Sequence, residues 1–225
     1  MGAEGSVMEL VPPIADAGQT DRRAGKRYTL ILRAAKLVCE AGEFLCVLRD
    51  VSDKGLKARL FHAMPTCDAY EIEFGSGERF AVEPIWNRGR DTGFRFAAGP
   101  IDVQGLLAEA GPFPKRSIRL RIAEELPVRL RFDNGELTGR VLDISQHGAQ
   151  IELPAALPIG QRLRIEACGL PVLHGRVRWR RAARHGVVFQ EGFRLDELAQ
   201  LTADMQIGSA KPPALARSDP KAGRH

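Results

Sequence analysis

Apolar residues fall in short runs separated by turn residues, and most runs are too short for helices. Tyr28–Val38, Phe44–Arg49, Leu56–Phe61, Ala69–Phe74, Arg79–Trp86 and Gly93–Phe96 are rich in β-branched, aromatic and aliphatic side chains, the composition of strands. Glu40-Ala41-Gly42-Glu43 and Gly75-Ser76-Gly77 punctuate them with residues that tolerate positive φ, as Asp133-Asn134-Gly135 does later. A second set follows: Val128–Phe132, Leu137–Leu142, Ala149–Leu153, Arg162–Ala167, Gly175–Arg180 and Gly186–Phe189. Helical spacing occurs where each set ends. Ile101–Ala110 carries Val103, Leu106 and Leu107, and Leu195–Met205 carries Leu195, Leu198, Leu201 and Met205, which reads as a packed capping helix. Short antiparallel strands at this spacing favour a barrel or a sandwich.

The two sets are copies. Asp50-Val51-Ser52-Asp53-Lys54-Gly55 has the DxSxxG pattern of Asp143-Ile144-Ser145-Gln146-His147-Gly148, an offset of 93 residues (143 − 50). The same offset carries Trp86 to Trp179, Gly93 to Gly186, Phe96 to Phe189 and Arg23 to Arg116. One DxSxxG is common by chance, but the chain has two tryptophans and both keep the register of the motif. We divide the chain into an N-terminal tail (1–20), a first domain (21–110), a second domain (111–207) and a C-terminal tail (208–225). Both tails lack periodicity, and the second is rich in Pro, Ala and charge, a composition that does not build a core.

Composition removes several function classes. With 44% hydrophobic and 27% charged residues the chain is an ordinary globular one. No stretch approaches the length of a membrane span, and Met1–Val11 lacks the features of a signal peptide, so a cytoplasmic location is expected. Cys39, Cys46, Cys67 and Cys168 form no CxxC pair and are read as small buried hydrophobes. The five histidines show no metal-binding spacing, and we expect no metal and no cofactor. No paired carboxylates, nucleophile elbow or phosphate loop is present, and His147 beside Ser145 is replaced by Lys54 in the first copy, so no catalytic residue is assigned. The net charge of +5 gathers at Asp21–Arg27, Lys115–Arg121 and Arg176–Arg184. The last run reads as a charged edge strand.

The order of arginine cluster, strands, DxSxxG, tryptophan, GxxF and helix resembles the PilZ domain family over roughly residues 21–205, taken as two domains. RxxxR stands before the first strand as Arg23-Ala24-Gly25-Lys26-Arg27, and DxSxxG runs from Asp50 to Gly55. The resemblance implies a mainly β chain of two tandem small antiparallel β-barrels, each followed by a short helix. It also implies a non-enzymatic receptor for cyclic di-GMP, with Arg22, Arg23, Arg27, Asp50, Ser52 and Gly55 on the ligand. The residue types suit such a molecule. Guanidinium forks pair with phosphate oxygens, stack on bases and match guanine O6 and N7. A carboxylate accepts from guanine N1–H and its amine. Asp and Ser here also have a purely local reading, in which they bond the backbone of a strand-ending turn. Gly55 is read as glycine because a side chain would strike the ligand or because the chain turns sharply.

By the constant offset Arg27 falls on Leu120, so the second copy is expected to lack the second arginine. Lys115 and Arg119 are also four apart and offer a shifted, lysine-containing substitute, so the copy is read as a weaker site formed by Arg116, Arg119, Asp143, Ser145 and Gly148. Trp86 and Trp179 are read as packing anchors, with a guanine-flanking role ranked lower. The implied outputs are bacterial ones such as motility, exopolysaccharide or biofilm formation, through a downstream protein partner. The alternative is a PilZ-like interaction module that binds no nucleotide. Nucleic-acid binding ranks third, because aromatic stacking runs are missing.

Overall fold

The computed structural model describes residues 28–108, 117–133 and 135–208. The tail assignments at 1–20 and 209–225 lie outside the described residues. The first six strands are β1 (Tyr28–Cys39), β2 (Gly42–Val51), β3 (Gly55–Leu60), β4 (Tyr70–Glu73), β5 (Arg79–Arg88) and β6 (Asp91–Phe96), followed by helix α1 (Val103–Ala108). They close into an antiparallel barrel in the order β1-β2-β3-β6-β5-β4. The second six are β7 (Leu120–Phe132), β8 (Gly135–Ser145), β9 (Gly148–Glu152), β10 (Arg162–Ala167), β11 (Leu173–Arg181) and β12 (Arg184–Phe189), with α2 (Leu195–Gly208) behind them. They repeat the same closed order, β7-β8-β9-β12-β11-β10.

Each barrel interior is filled by alternate residues of its strands, as period-two patterning demands. Leu37, Phe44, Cys46, Leu48, Ile72 and Phe94 fill the first, and Leu130, Ile144, Ile151, Ile165 and Val177 fill the second. Closure corrects one expectation from the sequence. β11, which carries most of the basic run Arg176–Arg184, pairs with β10 on one side and β12 on the other, so it is no edge strand. Its arginines 176, 178 and 180 alternate outward against buried Gly175 and Val177. β7 begins at Leu120, well before the expected Val128, because an irregularity between Arg121 and Leu126 breaks its pattern without ending the strand. The reading of the cysteines as buried holds for Cys46 alone. Cys39 and Cys67 are partly exposed with their sulfurs 2.7 Å apart, and Cys168 is exposed.

β2 positions the two barrels against each other. Its run Glu43–Leu48 is buried on both faces. Phe44, Cys46 and Leu48 point into their own barrel, whereas Leu45 packs into the core of the second. β7 and α2 supply the cover, and Ala203 of α2 joins the first core in return. A polar network seals the contact. The Gln206 side chain accepts from Glu43 N at 3.1 Å and donates to Glu43 O at 2.8 Å. The Glu43 carboxylate in turn accepts from Arg121 N at 3.0 Å and pairs with Lys36 at 3.0 Å.

Candidate functional site: two equivalent clefts

DxSxxG occupies the end of β2 and the turn into β3, and its local reading is correct for the serine. Ser52 Oγ donates to Gly55 O at 3.1 Å and Ser52 N donates to the same oxygen at 2.8 Å. Ser145 Oγ repeats the bond to Gly148 O at 3.0 Å. These bonds hold the turn shape. The glycines have a further constraint. A Cβ on Gly55 would run into the backbone carbonyl of Phe94, and one on Gly148 into that of Val187. Close approach of the neighbouring strand therefore requires glycine here.

The motif opens onto a cleft of about 260 Å³ whose lining includes Asp50, Ser52, Gly55, Lys57, Trp86 and Arg95. Trp86 stands on β5, with its indole lying over Gly93 of β6 where any side chain would displace it. The residue is 38% exposed, so it is no core side chain, and it forms a wall of the cleft. Lys57 Nζ sits 5.9 Å from the ring centroid, a cation held over a π face. Asp91, in a 3.1 Å ion pair with Lys57 and a bidentate pair with Arg59, helps to fix that lysine.

The second barrel repeats the arrangement in a cleft of about 440 Å³ lined by Arg119, Ser145, His147, Gly148, Arg178 and Trp179, among others. Trp179 is again 38% exposed and lies over Gly186. Arg178 replaces Ile85 of the first cleft, and Val188 replaces Arg95. Each cleft thus has a guanidinium on a different wall. The paired tryptophan and glycine could have been found in the sequence, since both keep the motif's offset on neighbouring strands.

Strand pairing changes the arginine comparison. Tyr28 faces Val51 in the first barrel, and Leu120 faces Ile144, the counterpart of Val51, in the second. The offset at this point is 92 (120 − 28), and it returns to 93 only where Arg33 faces Leu48 and Leu126 faces Val141. The irregular stretch of β7 holds one residue more than that of β1. Carried back along the chain, this register aligns Arg27 with Arg119 instead of Leu120. The second copy therefore keeps the second arginine of RxxxR and has Lys115 in place of the first, with Arg116 next to it. Arg119 already reaches the motif, donating to Asp143 Oδ1 at 2.6 Å. Arg22, Arg23, Arg27 and Arg116 lie outside the described residues.

Among the described residues, no helix is long and apolar enough to cross a membrane. In the same residues no group of three His, Cys, Asp or Glu could hold a metal ion. A closed antiparallel barrel with a DxSxxG turn, a glycine-backed tryptophan and an arginine at its mouth defines the class of the molecule. Residues 115–204, the stretch that holds the second barrel, match the family model of the PilZ domain. That match begins at the lysine aligned with Arg23, and the first barrel lies outside it.

Similar solved structures include the PlzA protein of Borreliella burgdorferi in complex with c-di-GMP (13% identity, 81% of this chain and 94% of that chain, TM-score 0.31). YcgR of Escherichia coli in complex with c-di-GMP is 14% identical over 80% of this chain and 85% of that chain, with TM-score 0.32. The Bacillus subtilis inhibitor of motility MotI is 12% identical over 81% of this chain and 98% of that chain, with TM-score 0.34. No curated protein sequence matches significantly.

Proposed function

We propose that the protein is a non-enzymatic cyclic di-GMP receptor with a ligand site on each barrel, and that the division into domains at 21–110 and 111–207 is a division into two ligand-binding units. One observation carries the reading. In both barrels the DxSxxG turn, a solvent-open tryptophan and cationic side chains converge on a single cleft, in the same strand register. The indole face offers a guanine a stacking surface, Asp50 and Asp143 supply carboxylates for its N–H donors, and the arginines meet phosphates or the O6 and N7 edge. Arg22, Arg23 and Arg27 complete the first site in this reading, and Lys115, Arg116 and Arg119 complete the second.

Binding works as a switch at the second barrel. The segment from Ser117 to Arg121 runs from the cleft to the other barrel, with Arg119 on Asp143 and the Arg121 backbone on Glu43. A ligand that draws Arg119 onto phosphate or guanine releases Asp143 and moves the strand start that touches the first barrel. The changed surface engages a downstream protein and regulates a bacterial output such as motility, exopolysaccharide or biofilm formation. Calorimetric titration with cyclic di-GMP tests the reading. Saturable binding, weakened by Arg27→Ala, Asp50→Asn and Arg119→Ala, is expected. Absence of heat at high micromolar ligand, with folded protein, overturns it.

A further inference from the structure

The second barrel carries a separate basic cleft of about 790 Å³, with Arg131, Arg162, Arg164, His174 and Arg176 around it. All five are exposed on the outer face of β7, β10 and β11. Their placement is unfavourable for folding. Arg162 stands directly opposite Arg176 on the β10–β11 ladder, and Arg164 directly opposite Arg131 on the β10–β7 ladder. Like charges facing each other across strands repel. Glu136 and Glu166 offset Arg131 and Arg164, at 2.9 Å in each case. Among the described residues no acidic side chain pairs with Arg162 or Arg176.

The duplication supplies an internal comparison. At the 93-residue offset the first barrel holds Val38, Ala69, Glu71, Ala81 and Glu83 in these five places, with Val38 facing Glu71 and Glu71 facing Ala81 as Arg131 faces Arg164 and Arg164 faces His174. The fold therefore has no need of positive charge there, and general solubility would not confine it to one barrel. We infer that this face of the second barrel is a docking site for an extended acidic segment of a partner protein, with Asp or Glu at every second position.

Charge and shape both select that occupant. Guanidinium forks pair with carboxylates in a bidentate manner. Arg162 and Arg164 lie two residues apart on one strand, a spacing of about 6.6–6.8 Å that alternate side chains of an extended peptide reproduce. Val188 lines both this cleft and that of Trp179, so the partner would sit beside the second candidate ligand site.

The test uses the full-length protein, a fluorescein-labelled peptide of alternating Glu and Leu, and a labelled DNA duplex. Fluorescence anisotropy is expected to give saturable peptide binding, tighter than duplex binding and weakening as salt rises. Arg164→Glu with Arg176→Glu, which installs the acids the first barrel already has, is expected to weaken peptide binding at least about tenfold while leaving the cyclic di-GMP titration unchanged. Arg162→Gln with Arg176→Gln provides a milder variant whose fold is checked by circular dichroism, and it is expected to weaken peptide binding severalfold. Peptide affinity unchanged in that folded variant overturns the inference, as does a duplex bound more tightly than the peptide through the same arginines.

Discussion

Arg119 donates to Asp143 across 2.6 Å at the mouth of the second barrel, joining the arginine segment to the DxSxxG turn. The guanidinium is about half exposed. Exposed pairs of this kind contribute about 0–1 kcal/mol, so the bond is a poor stabiliser and an easily exchanged contact. Arg119→Ala is therefore expected to leave the thermal midpoint nearly unchanged and to weaken cyclic di-GMP binding at the second barrel at least about tenfold, since charge-assisted bonds contribute about 1.5–3 kcal/mol. Calorimetry and a melting curve on the same sample separate the two effects.

The tryptophans report on each cleft separately. Base stacking on an aromatic ring is worth about 1–3 kcal/mol, so Trp86→Ala and Trp179→Ala should each weaken one site by roughly five- to 150-fold. Gly93→Ala and Gly186→Ala should do the same without removing the ring, because the added methyl group occupies the space under the indole. Intrinsic fluorescence of the single-tryptophan variants is expected to change on titration. An unresponsive Trp86 and Trp179 would exclude both rings from the site.

Contact between the barrels rests on Leu45 and on the Glu43–Gln206 pair. Gln206→Ala leaves the Glu43 backbone groups without partners, a loss of about 1–3 kcal/mol. Leu45→Ala removes a buried side chain from the second core at a cost of about 2–5 kcal/mol. Both variants should lower stability in denaturant, and Leu45→Asp should split unfolding into separate transitions for the two barrels. One unsplit transition with an unchanged midpoint would show that the interface does not couple them.

Acid sensitivity is expected in the first barrel. The hydrogen bond from Arg59, with help from Lys57, holds the Asp91 carboxyl down at about 2, below its ordinary value of 3.8. A depressed carboxylate adds stability above its unfolded value, and that share is lost as pH falls from about 4 toward 2. Asp91→Asn should thus lower the melting temperature at neutral pH and converge with the wild type near pH 2. A gap that persists at pH 2 would mean that Asp91 acts through packing alone.

Most of the fold was legible in the sequence because barrel strands are short, half-buried and regular, and because duplication repeats the signal. The expected strand Leu56–Phe61 falls on β3, α1 lies within Ile101–Ala110, and α2 covers the expected Leu195–Met205 and runs three residues further. The start of β7 was not legible, since the bulge between Arg121 and Leu126 breaks the period on which strand reading depends. That single extra residue also shifts the register, and cross-strand pairing favours the Lys115–Arg119 alternative over the constant offset. That Trp86 is no core side chain was not legible for another reason. Tryptophan is usually buried, and the glycine that lets it lie flat on the outside is on a different strand. The continuous apolar run of β2 fits its burial on two faces, a consequence the sequence reading did not draw.

Cyclic di-GMP titrated into the Arg27→Ala protein, where the second barrel alone keeps its aligned arginine, decides between two working sites and one. Saturable heat that survives Arg27→Ala and disappears when Arg119→Ala is added is the expected result. A protein silenced by Arg27→Ala alone, while still folded, would contradict a second site in the second barrel.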